Sequence, residues 1–158
     1  MRKLQGAAAA VVAVLAFTVA VSVGSARDVR SAPAPKNCNF TLRIGDVLPF
    51  TGDLAAYGAN LDRAVKVAVD LQNKALKKNG IEDAIQVELV GSEDGQTQAS
   101  ASVEAATKLV KSDKANVLIG EMASSATIPM AQSVAIPNKI VQISPTSSAP
   151  QLTDIKDN

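Results

Sequence analysis

The chain alternates short apolar stretches with longer stretches whose apolar residues recur at helical spacing. The stretch FTLRIGDVLPF is apolar and rich in strand-forming residues, which predicts a buried strand over residues 41–48. Over residues 58–78, apolar positions from Leu61 through Leu71 to Ala75 recur every three or four residues, and charged residues take the other side. This pattern predicts an amphipathic helix, which Gly80 ends.

The same alternation continues to the end of the chain. It predicts strands over 85–89, 115–120 and 139–144, helices over 96–111 and 127–136, and the start of another helix at APQLTD, with Pro150 in its first turn. Strands that alternate with helices predict an α/β fold, in which a parallel sheet carries helices on both faces.

The first residues have the composition of a targeting segment. A basic start, Met1-Arg2-Lys3, precedes a long run of Ala and Val and then small residues, which predicts an export signal over 1–26 that is cleaved after Ala26. An uncleaved membrane anchor is the alternative, because the run is about long enough to span a bilayer. Residues 27–40 are predicted to form a linker, and residues 41–158 a partial domain, so we expect a fragment of a longer protein.

Composition narrows the possible functions. The chain has 158 residues, of which 47% are hydrophobic, so it can form one modest core. The net charge of +1 and the 3% aromatic content give no reason to expect a nucleic-acid partner. Histidine is absent, which excludes a Ser-His-Asp triad and a histidine metal site. The phosphate-binding glycine motifs are absent too, so no cofactor is predicted.

Cys38 is the only cysteine. In an exported protein a single cysteine is either a free thiol or the partner of a cysteine beyond Asn158, and the sequence leaves both possibilities open.

Small hydroxyl residues cluster where two strands end. Ser124 and Ser125 follow the third strand, and Thr146, Ser147 and Ser148 follow the fourth. The carboxyl ends of parallel strands lie at one edge of the sheet, where such folds bind ligands, and helix N-termini there favour anions. We therefore predict a ligand site at this edge, although plain helix capping is the alternative for each cluster.

Two further residues belong to the same predicted edge. Tyr57 lies in a glycine-flanked stretch that we interpret as a loop, where its ring either covers a ligand or packs on its own lobe. Glu121 follows the third strand, and it is either a base or ammonium acceptor or a solvated loop acid.

Three stretches carry a family resemblance. LRIGDVLPFTGDLAAYGANLDRAVKVAVDLQN, VLIGEMASSATIPMAQ and ISPTSSAPQLTD, in this order, resemble the type I periplasmic binding proteins, and most closely the branched-chain amino-acid binding proteins of ABC importers. The resemblance covers Thr41 to Asp154. It implies a protein whose two lobes close around a small ligand, with only part of the first lobe present in this sequence.

The resemblance also implies roles for individual residues. Ser124 matches the family serine that binds the ligand, Thr146 the residue that offers a backbone carbonyl, Ser148 the residue that offers a hydroxyl and an amide, and Tyr57 the aromatic residue that lines the ligand. The acid that neutralises the ligand ammonium group comes from the second lobe. Glu121 matches no assigned residue, and the polar run at Thr146 leaves room for a ligand that is not aliphatic.

The sequence as a whole predicts an exported solute-binding protein, periplasmic or at the cell surface, rather than an enzyme. Its expected partners are a small amino acid, branched-chain types first, and the permease subunits of an ABC importer; metals, cofactors and nucleic acid are not expected. The competing hypotheses are a sensor domain of the same fold, a binding protein for amides, urea or aromatic acids, and an enzyme that uses Glu121.

Overall fold

The computed structural model describes residues 39–157. The predicted export signal, most of the predicted linker and Cys38 therefore lie outside the described residues. Within the described part, no helix is both long enough and apolar enough to cross a membrane. The elements are, in chain order, β1 (Phe40–Leu48), α1 (Ala55–Lys78), β2 (Ile85–Asp94), α2 (Ala99–Lys111), β3 (Val117–Gly120), α3 (Ser124–Met130) with a π-helical extension (Ala131–Ala135), β4 (Val141–Ile143) and a 3-10 helix (Pro150–Asp154).

The four strands form one parallel sheet in the order β2-β1-β3-β4. β1 lies inside the sheet, where Ile44 pairs with Leu89 of β2 on one side and with Val117 of β3 on the other. The helices lie on both faces, so the predicted fold class is confirmed. Since β-α-β connections need a helix to return the chain to the same edge, the alternation read from the sequence leads directly to this sheet.

The face of the sheet under α2 and α3 is closed. Val47 of β1 and Leu118 of β3 point to this face and are fully buried, together with Leu109 of α2 and Met130 of α3. Gly45 permits the close approach of α2, because a Cβ there would lie 3.0 Å from the Leu109 Cδ1 atom. This apolar layer is the main core of the described residues.

The opposite face is covered by α1 only in part. Ile44, Val65, Leu76 and Val87 form a small buried cluster between α1 and the strands β1 and β2. Residues paired across parallel strands share a face, so Ile143 of β4 lies on the same side as Ile119, with which it pairs. Val141 and Ile143 are 58% and 56% exposed, which leaves this face open over β4.

The buried stripe of α1 differs from the predicted one. Val65 and Leu76 face the sheet, whereas Leu71 is 59% exposed. α1 is thus rotated about its own axis relative to the predicted orientation. The Asn73 side chain explains this rotation, because its Nδ2 donates to the Val87 carbonyl at 2.8 Å and its Oδ1 accepts from the Val87 N–H at 3.1 Å. These hydrogen bonds turn a polar position of α1 toward β2.

Several predicted boundaries shift by a few residues. α1 begins at Ala55, so Tyr57 lies in the first turn of a helix rather than in a loop. Gly58 lets this turn pack tightly, since a Cβ there would lie 2.3 Å from the Pro49 carbonyl oxygen. α3 begins at Ser124, three residues before the predicted start at residue 127, and Pro129 lies inside the helix.

Candidate functional site

The candidate site lies where β3 and β4 end. The chain passes from β2, on one side of β1, to β3 on the other side, so the strand order reverses beside β1. β3 ends at Gly120, whose φ of +117° and tight contact with the Val47 carbonyl oxygen exclude any side chain. The loop 121–123 then leads into α3, and the loop 144–149 follows β4. We call these two loops, with Ser124, the hydroxyl rim.

Ser124 is the first residue of α3, and its hydroxyl oxygen already accepts two hydrogen bonds. The backbone N–H groups of Ser148 and Ala149 each donate to the Ser124 Oγ at 3.1 Å. A serine hydroxyl has two acceptor lone pairs and one donor, so only the O–H donor of Ser124 remains. The backbone N–H groups of Ser124 and Ser125 also lack an acceptor among the described residues. This end of the rim therefore favours a group that accepts hydrogen bonds, such as a carboxylate.

The loop after β4 offers a different set of groups. The Thr146 Oγ1 donates to the Met122 carbonyl oxygen at 2.9 Å, whereas the Thr146 carbonyl oxygen accepts no hydrogen bond from the described residues. Ser148 is exposed; its N–H is bonded to Ser124, and its hydroxyl has no partner in the described part of the chain. The loop that bonds to Ser124 thus carries a free carbonyl and a free hydroxyl.

Ser147 behaves differently from its two neighbours. Its Oγ lies 2.7 Å from the Thr127 Oγ1 and 2.7 Å from the Ser144 Oγ, inside the rim. Thr127 and Ser144 also donate to the carbonyl oxygen of Glu121, at 2.8 and 2.5 Å. These hydroxyl groups join the two loops of the rim. Thr127 and Ser144 have no role predicted from the sequence, and only their place next to the predicted clusters pointed to them.

Glu121 is fully buried, so its interpretation as a solvated loop acid is wrong. Its Oε2 accepts a hydrogen bond from the Ala123 N–H at 3.0 Å, and its Oε1 accepts one from the Thr97 N–H at 3.3 Å. The carboxylate therefore lies between the loop before α2 and the loop before α3, and it is not presented at the surface of the rim. No spacing or periodicity in the sequence signals this position.

The remaining predicted residues are not joined to the rim by hydrogen bonds. Ser125 is exposed, and its hydroxyl has no partner among the described residues. Tyr57 follows β1 and is 55% exposed, without a hydrogen bond to either loop in the described structure. The geometry thus brings together Ser124, Thr146 and Ser148, joins Ser147 to the interior, and leaves Ser125 and Tyr57 without a hydrogen bond to them; the ligand role of each stays a prediction.

A second buried carboxylate, Asp46, lies on the α1 side of the sheet. Neither of its oxygens has a hydrogen-bond partner in the described part of the chain, because the Ser92 hydroxyl donates to the Asp62 Oδ1 at 3.0 Å instead. Burial raises the pKa of Asp46 to about 6; the Asp62 and Glu93 carboxylates add to the rise, and the nearby Ser92 hydroxyl and Lys66 offset part of it. Asp46 lies within an apolar strand, and no pattern in the sequence marked it as a candidate residue.

Two concavities of the described structure border the loop after β4. The larger, about 720 Å³, opens beside β4 and is lined by Ser144 and Ser147 of the rim together with residues such as Ile136, Val141 and Leu152, but not by Ser124, Thr146 or Ser148. An apolar groove of about 470 Å³ lies between α1 and the sheet, and Pro145 of the rim is among its lining residues. Within residues 39–157, no group of three or more His, Cys, Asp or Glu side chains is placed to hold a metal ion. Ser124, Thr146 and Ser148 line neither of these concavities, so this part of the rim is an open surface of hydrogen-bonding groups.

Comparison with known proteins identifies the family to which this fold is similar. A family model described as periplasmic binding protein matches residues 41–156. The chain is 34% identical over 113 residues to a Leu/Ile/Val-binding protein of Rhizobium johnstonii, and the match covers 71% of this chain and 29% of that protein. The chain therefore spans less than a third of the length of that relative.

Two solved structures share the fold. The branched-chain amino acid transporter substrate binding protein of Streptococcus pneumoniae, in complex with isoleucine, superposes with a TM-score of 0.61 at 28% identity and covers 73% of this chain and 31% of its own. A leucine binding protein of Thermotoga maritima has a TM-score of 0.59 at 26% identity, with coverage of 71% and 29%.

Proposed function

This chain belongs to the periplasmic binding protein family, and from that premise we propose that it supplies the first lobe of an extracytoplasmic solute-binding protein. The proposed ligand is a small amino acid, with the branched-chain types first. The observation that carries the proposal is the donor-only character of Ser124, whose oxygen accepts from the N–H groups of Ser148 and Ala149. A free amino acid presents a carboxylate, which satisfies these donors with charge-assisted hydrogen bonds.

The second loop fits the other end of an amino acid. The free carbonyl oxygen of Thr146 is an acceptor for an ammonium group, and the free hydroxyl of Ser148 either donates or accepts. Donors and acceptors of the rim are thus separated between its two loops. The names of the similar proteins, which refer to leucine, isoleucine and valine, favour the branched-chain class.

The proposed mechanism is capture between two lobes followed by delivery to the permease of an ABC importer. An open rim alone holds a ligand weakly, because water competes for each hydrogen bond. Closure of a second lobe removes that water, and it shifts the open–closed equilibrium only when the ligand contacts both lobes. The full-length protein is therefore the correct object for a binding experiment.

Calorimetric titration of the full-length protein with L-leucine, L-isoleucine and L-valine tests the proposal. The Ser124→Ala variant is expected to bind the preferred amino acid about 10- to 100-fold more weakly, since it loses a hydrogen bond to a charged group. Ser100→Ala is the matched control, because Ser100 is an exposed serine in the first turn of α2 that forms no hydrogen bond with the rim in the described structure. Its affinity should equal that of the unmodified protein.

An analogue without the carboxylate sharpens the test. 3-Methylbutylamine is leucine without its carboxylate, so the loss caused by Ser124→Ala should be smaller for this amine than for leucine. Equal losses for both ligands would mean that Ser124 acts only by holding the loop at Ser148 and Ala149. Absence of heat with every amino acid, from a folded protein, would overturn the amino-acid assignment.

A further inference from the structure

Glu121 belongs to the rim, but its carboxylate is fully buried and has no contact with solvent. Burying a charged group is unfavourable unless hydrogen bonds compensate. Here the compensation comes from two backbone N–H groups: Ala123 donates to Oε2 at 3.0 Å and Thr97 donates to Oε1 at 3.3 Å. A buried carboxylate with these partners fixes the relative position of the two backbone segments that it joins.

One of these segments carries the proposed ligand contact. Ala123 precedes Ser124 and is the N-cap residue of α3, so the Glu121 bond to the Ala123 N–H sets where α3 begins. The other segment, at Thr97, leads into α2, whose side chains belong to the closed core. Through its two oxygens Glu121 therefore connects the loop before α3 to the loop before α2, next to the closed core.

The backbone of Glu121 extends the same connection to the second loop. Its carbonyl oxygen accepts from the Thr127 hydroxyl at 2.8 Å and from the Ser144 hydroxyl at 2.5 Å. Ser144 is the first residue after β4, and Ser147 lies 2.7 Å from it. Glu121 thus joins three loops by hydrogen bonds: the loop before α2, the loop before α3 and the loop after β4.

Gly95 supplies independent evidence that the space for this carboxylate is specific. A Cβ at Gly95 would lie 2.8 Å from the Glu121 Oε1 and 2.8 Å from the Ser102 Oγ. The backbone of Gly95 is not in the left-handed region, so the requirement for glycine there comes from the neighbouring side chains. The chain keeps this position without a side chain, and the Glu121 carboxylate lies against it.

We propose that Glu121 is a positioning residue of the ligand site, which holds Ser124 in place through the Ala123 N–H without touching the ligand. This inference rests on the proposed function, because it assigns Glu121 a role in the affinity of the same rim. It predicts that affinity depends on the buried carboxylate, on the number of its acceptor oxygens, and on the empty space at Gly95.

The test is calorimetric titration of the full-length protein with L-leucine, combined with the NMR signals of the Ala123 and Thr97 amides. Glu121→Ala is expected to weaken leucine binding about tenfold, which is the order of a lost hydrogen bond to a charged group. Glu121→Gln keeps one acceptor oxygen, so it should restore part of the affinity. Glu104→Ala is the matched control, since Glu104 is an exposed glutamate on α2. In Glu121→Ala, the Ala123 amide proton should move upfield.

A double-mutant cycle separates positioning from a general loss of stability. Gly95→Ala should weaken leucine binding in the unmodified protein and weaken it less in the Glu121→Ala background, where only the clash with the Ser102 Oγ remains. Additive losses, the absence of rescue by Gln, or unchanged affinity in Glu121→Ala would each overturn the inference.

A failure of the proposed function is distinguishable from a failure of this inference. If the unmodified protein binds no amino acid, the proposed ligand class is wrong. The amide signals then decide the role of Glu121: unchanged Ala123 and Ser124 amide signals in Glu121→Ala would overturn it, and displaced signals would support it.

Discussion

The two faces of the sheet differ in how completely they are covered. Under α2 and α3, the strand residues Val47 and Leu118 are fully buried. On the α1 side, Ile143 of β4 remains more than half exposed, and an unpaired carboxylate, Asp46, is buried beside β2. We infer that the α2–α3 layer contributes most of the stability of the described residues, whereas the α1 layer contributes less apolar burial and contains an unfavourable charge.

The largest expected effect comes from removing volume on the closed face. Leu109→Ala should lower the free energy of unfolding by about 3 kcal/mol, because Leu109 is fully buried and its side chain packs on strand positions that carry no side chain, such as Gly45. Leu71→Ala, the same change at an exposed position of α1, should cost less than about 0.5 kcal/mol. Urea denaturation of both variants measures the difference, and equal losses would contradict the comparison.

The next effect concerns the buried charge on the α1 side. Because the folded pKa of Asp46 is about 6, above its ordinary value of 3.8, the folded state retains a proton that the unfolded state loses. The stability that the neutral form provides is therefore complete below pH 4 and is lost as pH rises through 6. Relative to the unmodified protein, Asp46→Asn should gain about 3 kcal/mol between pH 4 and pH 7. Denaturation at several pH values measures this gain.

Asp94 is a control for which the opposite dependence of stability on pH is expected, because its pKa is lowered rather than raised. Burial would raise its pKa, but hydrogen bonds from the Thr51 hydroxyl and from the N–H groups of Thr51, Gln96 and Phe50 lower it overall. Asp94→Asn should therefore lose stability relative to the unmodified protein near neutral pH, and this loss should disappear as pH falls below the ordinary range of an aspartate. If Asp46→Asn showed the same direction, Asp46 would have a hydrogen-bond partner in solution.

The smallest effect is expected on the open part of the α1 face. Ile143→Thr replaces an apolar side chain that is already more than half exposed, so the free energy of unfolding should change by less than about 0.5 kcal/mol. Thermal unfolding of this variant beside Leu118→Ala, on the closed face of the neighbouring strand, measures the contrast. A large loss in Ile143→Thr would show that another part of the molecule covers β4.

The alternation of apolar stretches was sufficient to predict the parallel sheet and its helices, because burial and connection rules act on residues that are close in sequence. The exposure of Leu71 was not predictable from periodicity, since the Asn73–Val87 hydrogen bonds that rotate α1 join residues in different elements. The short strand at Val141 has the composition of a buried strand, and nothing in its own residues shows that one face lacks a helix.

The same limit applies to the candidate site. The clusters at Ser124 and Thr146 were recognised from residue type and from their position after strands. The partners of each hydroxyl were not, because they depend on contacts between loops more than twenty residues apart, such as Ser124 with Ser148. Glu121 and Asp46 show the limit most clearly: both are acids in the sequence, and only the packing around them shows that one is paired and the other is not.

The central position of β1 has a consequence for the order in which the chain folds. β1 is synthesised before the other strands of the described part of the chain, but its partners lie far along the chain: Arg43 bonds to Glu88, 45 residues later, and to Asn116, 73 residues later. Contacts of such long sequence separation close large loops, and proteins rich in them fold slowly. The middle of the sheet cannot form until β3 has left the ribosome, so β1 remains without its second partner while the residues from α1 to β3 are synthesised.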